Sequence, residues 1–364
     1  MKKPNYQNSI LNLSCSILKH YNCFCSYKSI KLVDNFLAKN YQHLILMVLD
    51  GLGINIIKQH LTQESGLKKH LKSVISSVFP PTTVAATNSI LLAKPPFASG
   101  YLGWVQYNKL EDANVVVFKN EDYYNPKNKL KTNLREDILA QDDILTLIKA
   151  QNPNLHVEAL MPAFAVDGYH SFDNQLDRLL MITKGKPSFS FCYWEQVDSI
   201  VHSDGVKGLK TKEVVQNLNR SFERFINEID RDVLLIVTAD HGLVDVEEID
   251  LFHYQDLTAT FLRKPSLEPR ALTFFIKEGL QEKFKDLFNK YFQPGFLLLS
   301  KEELLASELL GYGVKHPWLD SFIGDYIAIS ISNKLIKTSQ HSSFKAHHAG
   351  LLKEELEVPL IIKG

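Results

Sequence analysis

Val233-Leu-Leu-Ile-Val-Thr-Ala-Asp240-His241-Gly242 is the stretch on which the fold turns. From Val233 to Ala239 it is almost wholly apolar and rich in β-branched side chains, the pattern of a strand buried on both faces. That strand then delivers a carboxylate and an imidazole side by side. Charged groups are costly in a core, so a pair at the carboxyl end of a buried strand points to a cleft or a metal.

The segments around it repeat the theme. Leu44 to Leu49 reads as a core strand ending at Asp50 and turning through Gly51-Leu52-Gly53. Val74 to Phe79 reads as a strand ending in Pro80-Pro81-Thr82-Thr83, followed by a helix over Ala85 to Ala93 that Pro95-Pro96 stops. His156 to Met161 and Phe189 to Trp194 are further strands. Phe172, Leu176, Leu179 and Leu180 mark one amphipathic helix, and Val214, Leu218, Phe222, Phe225 and Ile229 another that leads into Val233. Alternation of this kind predicts an α/β fold, a mostly parallel central sheet with helices on both faces. Functional side chains of such sheets gather outside the carboxyl ends of the strands. Asp50, Thr83, Asp198 and Asp240-His241 all fall just there.

From Asp256 to Trp318 the pattern changes to strand, helix, strand, helix (Ala271–Ile276, Leu280–Phe292, Phe296–Leu299, Glu302–Leu310). This predicts a small α+β cap insertion over 256–318. Tyr326 to Ile331 and Val358 to Ile362 read as a return to the central sheet. The expected core is therefore 1–255 with 319–364, residues 1–40 forming an N-terminal extension.

The 364 residues carry 41 basic and 41 acidic side chains with no long block of either sign. No electrostatic footprint for a nucleic-acid polymer is present, which leaves room for a small phosphorylated substrate. Asn5, Gln7, Asn8, Asn12 and Ser14 interrupt the apolar core that a signal peptide needs, and no stretch is long enough to span a bilayer. Cys15, Cys23 and Cys25 lie close together without a neighbouring histidine, a poor zinc template. They are expected to be ordinary reduced thiols, like Cys192, in a cytoplasmic protein without membrane partners. The residue pattern carries no signal of oligomeric state.

Each candidate residue has an ordinary reading too. Asp50-Gly51 alone is as consistent with a turn as with a ligand. Asp198-x-x-x-His202 puts both side chains on one helical face, suited to a shared cation. Asp240-His241 adds a second carboxylate and imidazole, and His347-His348 further imidazoles. Thr82 and Thr83 stand where a strand meets a helix. A helix N-terminus favours an anion, and a hydroxyl there can attack one when a cation lowers its pKa; the other threonine then serves as a cap.

Taken together, Leu-Asp50-Gly, Phe79-Pro-Pro-Thr-Thr83-Val-Ala-Ala-Thr-Asn-Ser-Ile, Asp198-x-x-x-His202, Ala-Asp240-His241-Gly and His348-Ala-Gly-Leu-Leu-Lys-Glu-Glu-Leu-Glu-Val-Pro-Leu resemble the alkaline phosphatase superfamily, in its nucleotide pyrophosphatase/phosphodiesterase branch. The segments occur in the family's order and span most of the chain from Leu44 onward. The resemblance implies an alkaline phosphatase-like core with a two-zinc site, manganese being the alternative metal. It assigns Asp198, His202 and His348 to one ion, and Asp50, Asp240 and His241, with the nucleophile hydroxyl, to the other. Counting from Phe79 in the family's Phe-Pro-x-x-Thr pattern makes Thr83 the nucleophile and Thr82 the fallback. Counting back from Gly350-Leu351 makes His348 the ligand and His347 its neighbour.

The implied activity is a metal-dependent hydrolase of phosphodiester or pyrophosphate bonds in a small phosphorylated substrate, a nucleotide being one candidate, working through a phosphothreonine intermediate. The chain departs from the branch in one respect. Members place an asparagine after the nucleophile to contact a phosphoryl oxygen, but Gly100-Tyr-Leu-Gly103-Trp104 has none until Asn108. The Trp104 indole N–H and the Tyr101 hydroxyl are the substitute donors at hand, and Trp104, Tyr107, Tyr123 and Tyr124 are aromatic surfaces on which a base can stack. The departure keeps open a phosphonoacetate hydrolase-like or phosphomonoesterase activity on a small metabolite, and a degenerate member that binds a nucleotide or metal without turnover. The Cys-x-Pro-x-Arg signature of sulfatases is absent.

Overall fold

His43–Leu49 forms the middle of the central sheet, and all seven of its residues are buried. A computed structural model describes residues 1–338 and 343–364 of the chain. The six strands run in the order Leu71–Ser76, Glu357–Lys363, Val233–Thr238, His43–Leu49, Ser188–Trp194, His156–Leu160. The last four are mutually parallel, and the Val233, His43 and Ser188 strands are buried along their whole length, which is why they read as largely apolar runs, while His156–Leu160 is a half-exposed edge. Glu357–Lys363 is the exception: it lies antiparallel between the Val233 and Leu71 strands.

Register places the site. Leu49 pairs with Trp194, and Val48 with Thr238. The three central strands therefore end level, and the residues that follow them emerge together. The flanking helices form two groups. Leu209–Glu228 packs on Gln196–Asp204 and Phe172–Ile182, whereas Ile10–His20 packs on Thr83–Leu92 and Ile144–Gln151. The expected N-terminal extension is thus part of the core, with Ile10, Leu11, Leu13 and Ile17 fully buried.

Two expectations need correction here. Tyr326–Ser330 does not return to the central sheet. It pairs with Ala271–Ile276 and Phe296–Ser300 in a second, antiparallel sheet of seven strands. Val105–Asn108, Ala113–Val116 and Glu121–Asp122, read as core, complete that sheet through Leu267↔Val105. Strand periodicity shows which residues alternate but not which backbone they bond, so the cap's limits at 256 and 318 miss three of its strands and a fourth beyond. Its far face is covered by the helix Gln281–Phe292, which buries Phe284, Phe288 and Phe292 at a four-residue spacing.

The cysteines are the second correction. Cys15 and Cys25 form a disulfide, with Cα atoms 5.7 Å apart, while Cys23 and Cys192 are free. The chain folds back on Ile10–His20 after Tyr21, and Ser16 Oγ accepts from the Ile30 N–H at 2.8 Å. That reversal brings Cys25 against Cys15, a contact that spacing alone does not reveal.

Candidate active site

Asp50, Asp198 and Asp240 converge beyond the level strand ends. Asp50 follows the His43 strand directly and Asp240 follows the Val233 strand after Ala239. Asp198 sits in the first turn of Gln196–Asp204, its N–H donating to the Asp50 carbonyl at 3.2 Å. The tight reversal at Gly51 makes this approach possible. Gly51 has φ +72°, and a Cβ there would lie 2.8 Å from both Cα and Cβ of Asp198. Gly51→Ala is therefore expected to lower stability by at least about 2 kcal/mol, from αL strain and overpacking together, read as a lower urea midpoint at unchanged m-value.

The carboxylates are held from behind. Asp240 Oδ1 accepts from the N–H groups of Gly51 (3.1 Å) and His241 (2.9 Å). Asp50 Oδ2 accepts from the Tyr193 hydroxyl and, at 3.4 Å, from Thr83 Oγ1. Asp198 Oδ2 lies 3.4 Å from His202 Nε2. In each case the other oxygen (Asp50 Oδ1, Asp240 Oδ2, Asp198 Oδ1) is buried without a hydrogen-bond partner among the described residues, as is His348 Nδ1. Orphaned buried acceptors are rare, and a cluster of them calls for a cation.

The imidazoles agree with that. His202 Nδ1 lies 2.8 Å from the Ala346 carbonyl and His241 Nδ1 3.3 Å from the Gly242 carbonyl. A carbonyl only accepts, so both rings carry hydrogen on Nδ1 and turn the Nε2 lone pair inward, as metal-binding histidines do. His241 Nε2 lies 3.4 Å from Asp50 Oδ1 and from Asp240 Oδ2. His348 Nε2 is 4.0 Å from Asp198 Oδ1. A short ladder pairing His347 with Val244 ties the histidine segment to the loop after Asp240.

Donor atoms of Asp50, Asp240 and His241 lie within 4.8 Å of one another, and so do those of Asp198, His241 and His348. His241 is shared, and His202 stands at the edge of the second group against Asp198. His347 lies outside both, its Nδ1 accepting from the His348 N–H at 2.9 Å.

Electrostatics sharpen the case. Burial, then the neighbouring Asp240 and Asp198, push the Asp50 carboxyl well up, and burial raises Asp240 to about 7. Burial also works against Asp198, but His202 beside it more than offsets this and its pKa falls. Burial and neighbouring imidazoles hold His347 and His348 well below the ordinary histidine value. Burial thus resists the ionisation of Asp50 and Asp240, and a divalent cation bound between the carboxylates would offset that cost. Carboxylate oxygens with imidazole nitrogens suit zinc or manganese.

The two threonines have separate duties. Thr83, the first residue of the helix Thr83–Leu92, places Oγ1 3.2 Å from His241 Nε2, inside the cluster. Thr82, the N-cap residue, donates its hydroxyl away from it, to Glu268 Oε1 at 2.6 Å. Glu268 also accepts from the Trp104 N–H at 2.6 Å, tying the threonine turn to the second sheet, and burial raises its carboxyl to about 7. Neither Glu268 nor Tyr193 is marked by any local pattern; their partners lie 186 and 143 residues away.

A cavity of about 370 Å³ opens over Thr83, Asp198, His202 and His348, walled by Trp104 and Tyr124, which flank strands of the second sheet. Trp104, 37 % exposed, and Tyr123 also face it. Tyr101, the other proposed substrate-binding residue, does not. Past Gly100, at φ +79°, the chain turns Tyr101 inward to the apolar cluster of Phe79, Val84 and Leu102, beside Arg135. Tyr107 packs on Phe275 under Arg263 instead.

A family model described as Type I phosphodiesterase / nucleotide pyrophosphatase matches residues 44–273. Among solved structures, murine ectonucleotide pyrophosphatase/phosphodiesterase 5 is 17 % identical, covering 87 % of each chain with a TM-score of 0.64. An inactive form of that murine protein in complex with AMP is also 17 % identical, covering 88 % of this chain and 87 % of that one at a TM-score of 0.65. The human counterpart is 16 % identical over the same shares, at 0.67. These likenesses show a common fold. No curated protein sequence matches the chain.

Proposed function

The chain belongs to the type I phosphodiesterase / nucleotide pyrophosphatase family, within the alkaline phosphatase superfamily, and from that premise we propose that it hydrolyses phosphodiester or pyrophosphate bonds with Thr83 as nucleophile. One observation carries the reading: Thr83 Oγ1 lies against His241 Nε2 and Asp50 Oδ2, within a group of carboxylates whose outer oxygens are buried and have no partner among the described residues. Asp198, His202 and His348 would hold one cation, and Asp50, Asp240 and His241 the other. Two zinc ions, or manganese in their place, would neutralise the carboxylates and polarise the phosphoryl oxygens.

Thr83 then acts in two steps. Its Oγ1 forms a bond to phosphorus as the ester or anhydride P–O bond breaks, releasing the alcohol or phosphate with the bridging oxygen and leaving a phosphothreonine ester. Water attacks the same phosphorus and Thr83 leaves with its oxygen. The Thr83 hydroxyl proton faces Asp50 Oδ2, and Asp50 is held in place by Tyr193 and the strand end. Backbone N–H groups of the first helical turn from Thr83 favour the phosphoryl anion. The aromatic wall of Trp104, Tyr123 and Tyr124, and the AMP bound by the inactive murine relative, support a nucleotide as the substrate class.

Bis-p-nitrophenyl phosphate and p-nitrophenyl phosphate separate this reading from its neighbours. The zinc-loaded protein is expected to have the higher kcat/KM on the diester. A reversed preference would make it a phosphomonoesterase, and no turnover of either would sink the hydrolase reading.

A further inference from the structure

Arg270 and Glu355 form an ion pair with both side chains completely buried. Arg270 Nε donates to Glu355 Oε1 at 2.8 Å and Nη2 to Oε2 at 2.9 Å. Such a pair offsets its desolvation only with good geometry and additional hydrogen bonds. Here the additional bonds of the Glu355 carboxylate lead to the chain around the site. Glu355 Oε1 accepts from the Gly350 N–H at 2.7 Å and Oε2 from the Leu352 N–H at 3.1 Å. The Glu355 carbonyl accepts from the Gly242 N–H at 3.0 Å. One residue thus grips the turn that follows His348 and the residue that follows His241.

The turn is shaped around this pair. Ala349 has φ +90°, and a Cβ on Gly350 would lie 2.8 Å from both Arg270 Nη2 and Glu355 Oε2. Arg270 precedes the Ala271–Ile276 strand of the second sheet, and its Nη1 and Nη2 also bind the carbonyls of Lys334 and Ser332. The second sheet therefore reaches through Arg270 to the segment carrying His348.

We propose that the Arg270–Glu355 pair is a positioning device for the metal-binding histidines, setting the cation affinity of the site, chiefly at His348, without touching substrate. The inference rests on the two-cation reading above. A pair that served only the fold would be dispensable, because apolar replacements of similar volume are commonly neutral or stabilising. The full-length Arg270→Met/Glu355→Leu double variant tests the difference. It is expected to unfold cooperatively near the wild-type temperature when metal-free. Competition with a chromophoric chelator should then show one of its two zinc sites weakened about 10- to 100-fold, the scale for loss of a group that orients a ligand. Excess zinc should restore diester hydrolysis.

If the double variant does not fold, Glu355→Gln carries the test, since its amide oxygen keeps one acceptor; a loss of about tenfold in zinc affinity is expected. A folded variant that binds two zinc ions as tightly as the wild type would overturn the proposal while leaving the proposed function standing. A wild-type chain that takes up no zinc or manganese would refute that function, and the positioning role with it.

Discussion

Alanine in place of Thr83 is expected to lower diester hydrolysis by at least about a thousandfold, on the scale of losing a covalent nucleophile, while the protein still binds its cations. The carboxylates and imidazoles of the cluster are held by Tyr193, by backbone N–H groups and by backbone carbonyls, none of which depends on the threonine hydroxyl. Thr82→Val should behave differently. It removes the bond to Glu268 but leaves Oγ1 of Thr83 in place, so a residual activity well above that of Thr83→Ala is expected. Equal losses from the two substitutions would contradict the division of labour between them.

Chelation is expected to have the second large effect, on turnover and stability together. Removing the cations should abolish hydrolysis and leave the buried Asp50 and Asp240 facing the half-buried Asp198. The stability of the stripped protein then depends on pH in a definite direction. Asp50 and Asp240 have raised pKa values in the fold, Asp240 about 7. A raised carboxyl contributes stability that is complete below the unfolded value near 3.9 and is lost as pH rises through the folded value. His202, also raised, by Asp198 against the opposing effect of burial, acts with the same sign.

His347 and His348, lowered by burial, oppose this once pH falls below the unfolded histidine value of about 6.5. Asp198, whose value is lowered, titrates below the unfolded aspartate range and does not enter. The chelated protein should therefore melt at a higher temperature at pH 6.5 than at pH 8. Cations should remove that gain by binding the ionised carboxylates. A chelated protein that is more stable at pH 8 would mean that the pocket is not charged in this way.

Much of this site could be read from the chain because the fold exposes its chemistry at strand ends. Asp240-His241 follows a run that is buried on both faces, and the Asp198-to-His202 spacing survives as one helical face. The two adjacent threonines were harder. They differ by one residue, a turn of about 100° once the helix begins, and only the Glu268 carboxyl, supplied by the second sheet, separates their roles. Tyr101 and Trp104, offered as alternative donors, are separated by the same kind of local geometry. Both are aromatic and three residues apart, but the turn at Gly100 sends one into the core and leaves the other at the cavity.

Tyr326–Ser330 was recognisable as a strand yet not as a member of the second sheet, because the apolar pattern does not encode a hydrogen-bonding partner. Arg270 and Glu355 look like surface charges in sequence. Their burial is a product of the turn at Ala349-Gly350 and of contacts made across 85 residues of chain.

Acid quenching of the zinc-loaded protein during diester turnover, followed by peptide mass spectrometry, tests the central claim most directly. The account predicts a covalent phosphoryl ester on the peptide containing Thr83, located at Thr83 by fragmentation and missing from Thr83→Ala. Turnover that proceeds with no adduct on that peptide, or with the adduct on Thr82, would contradict it.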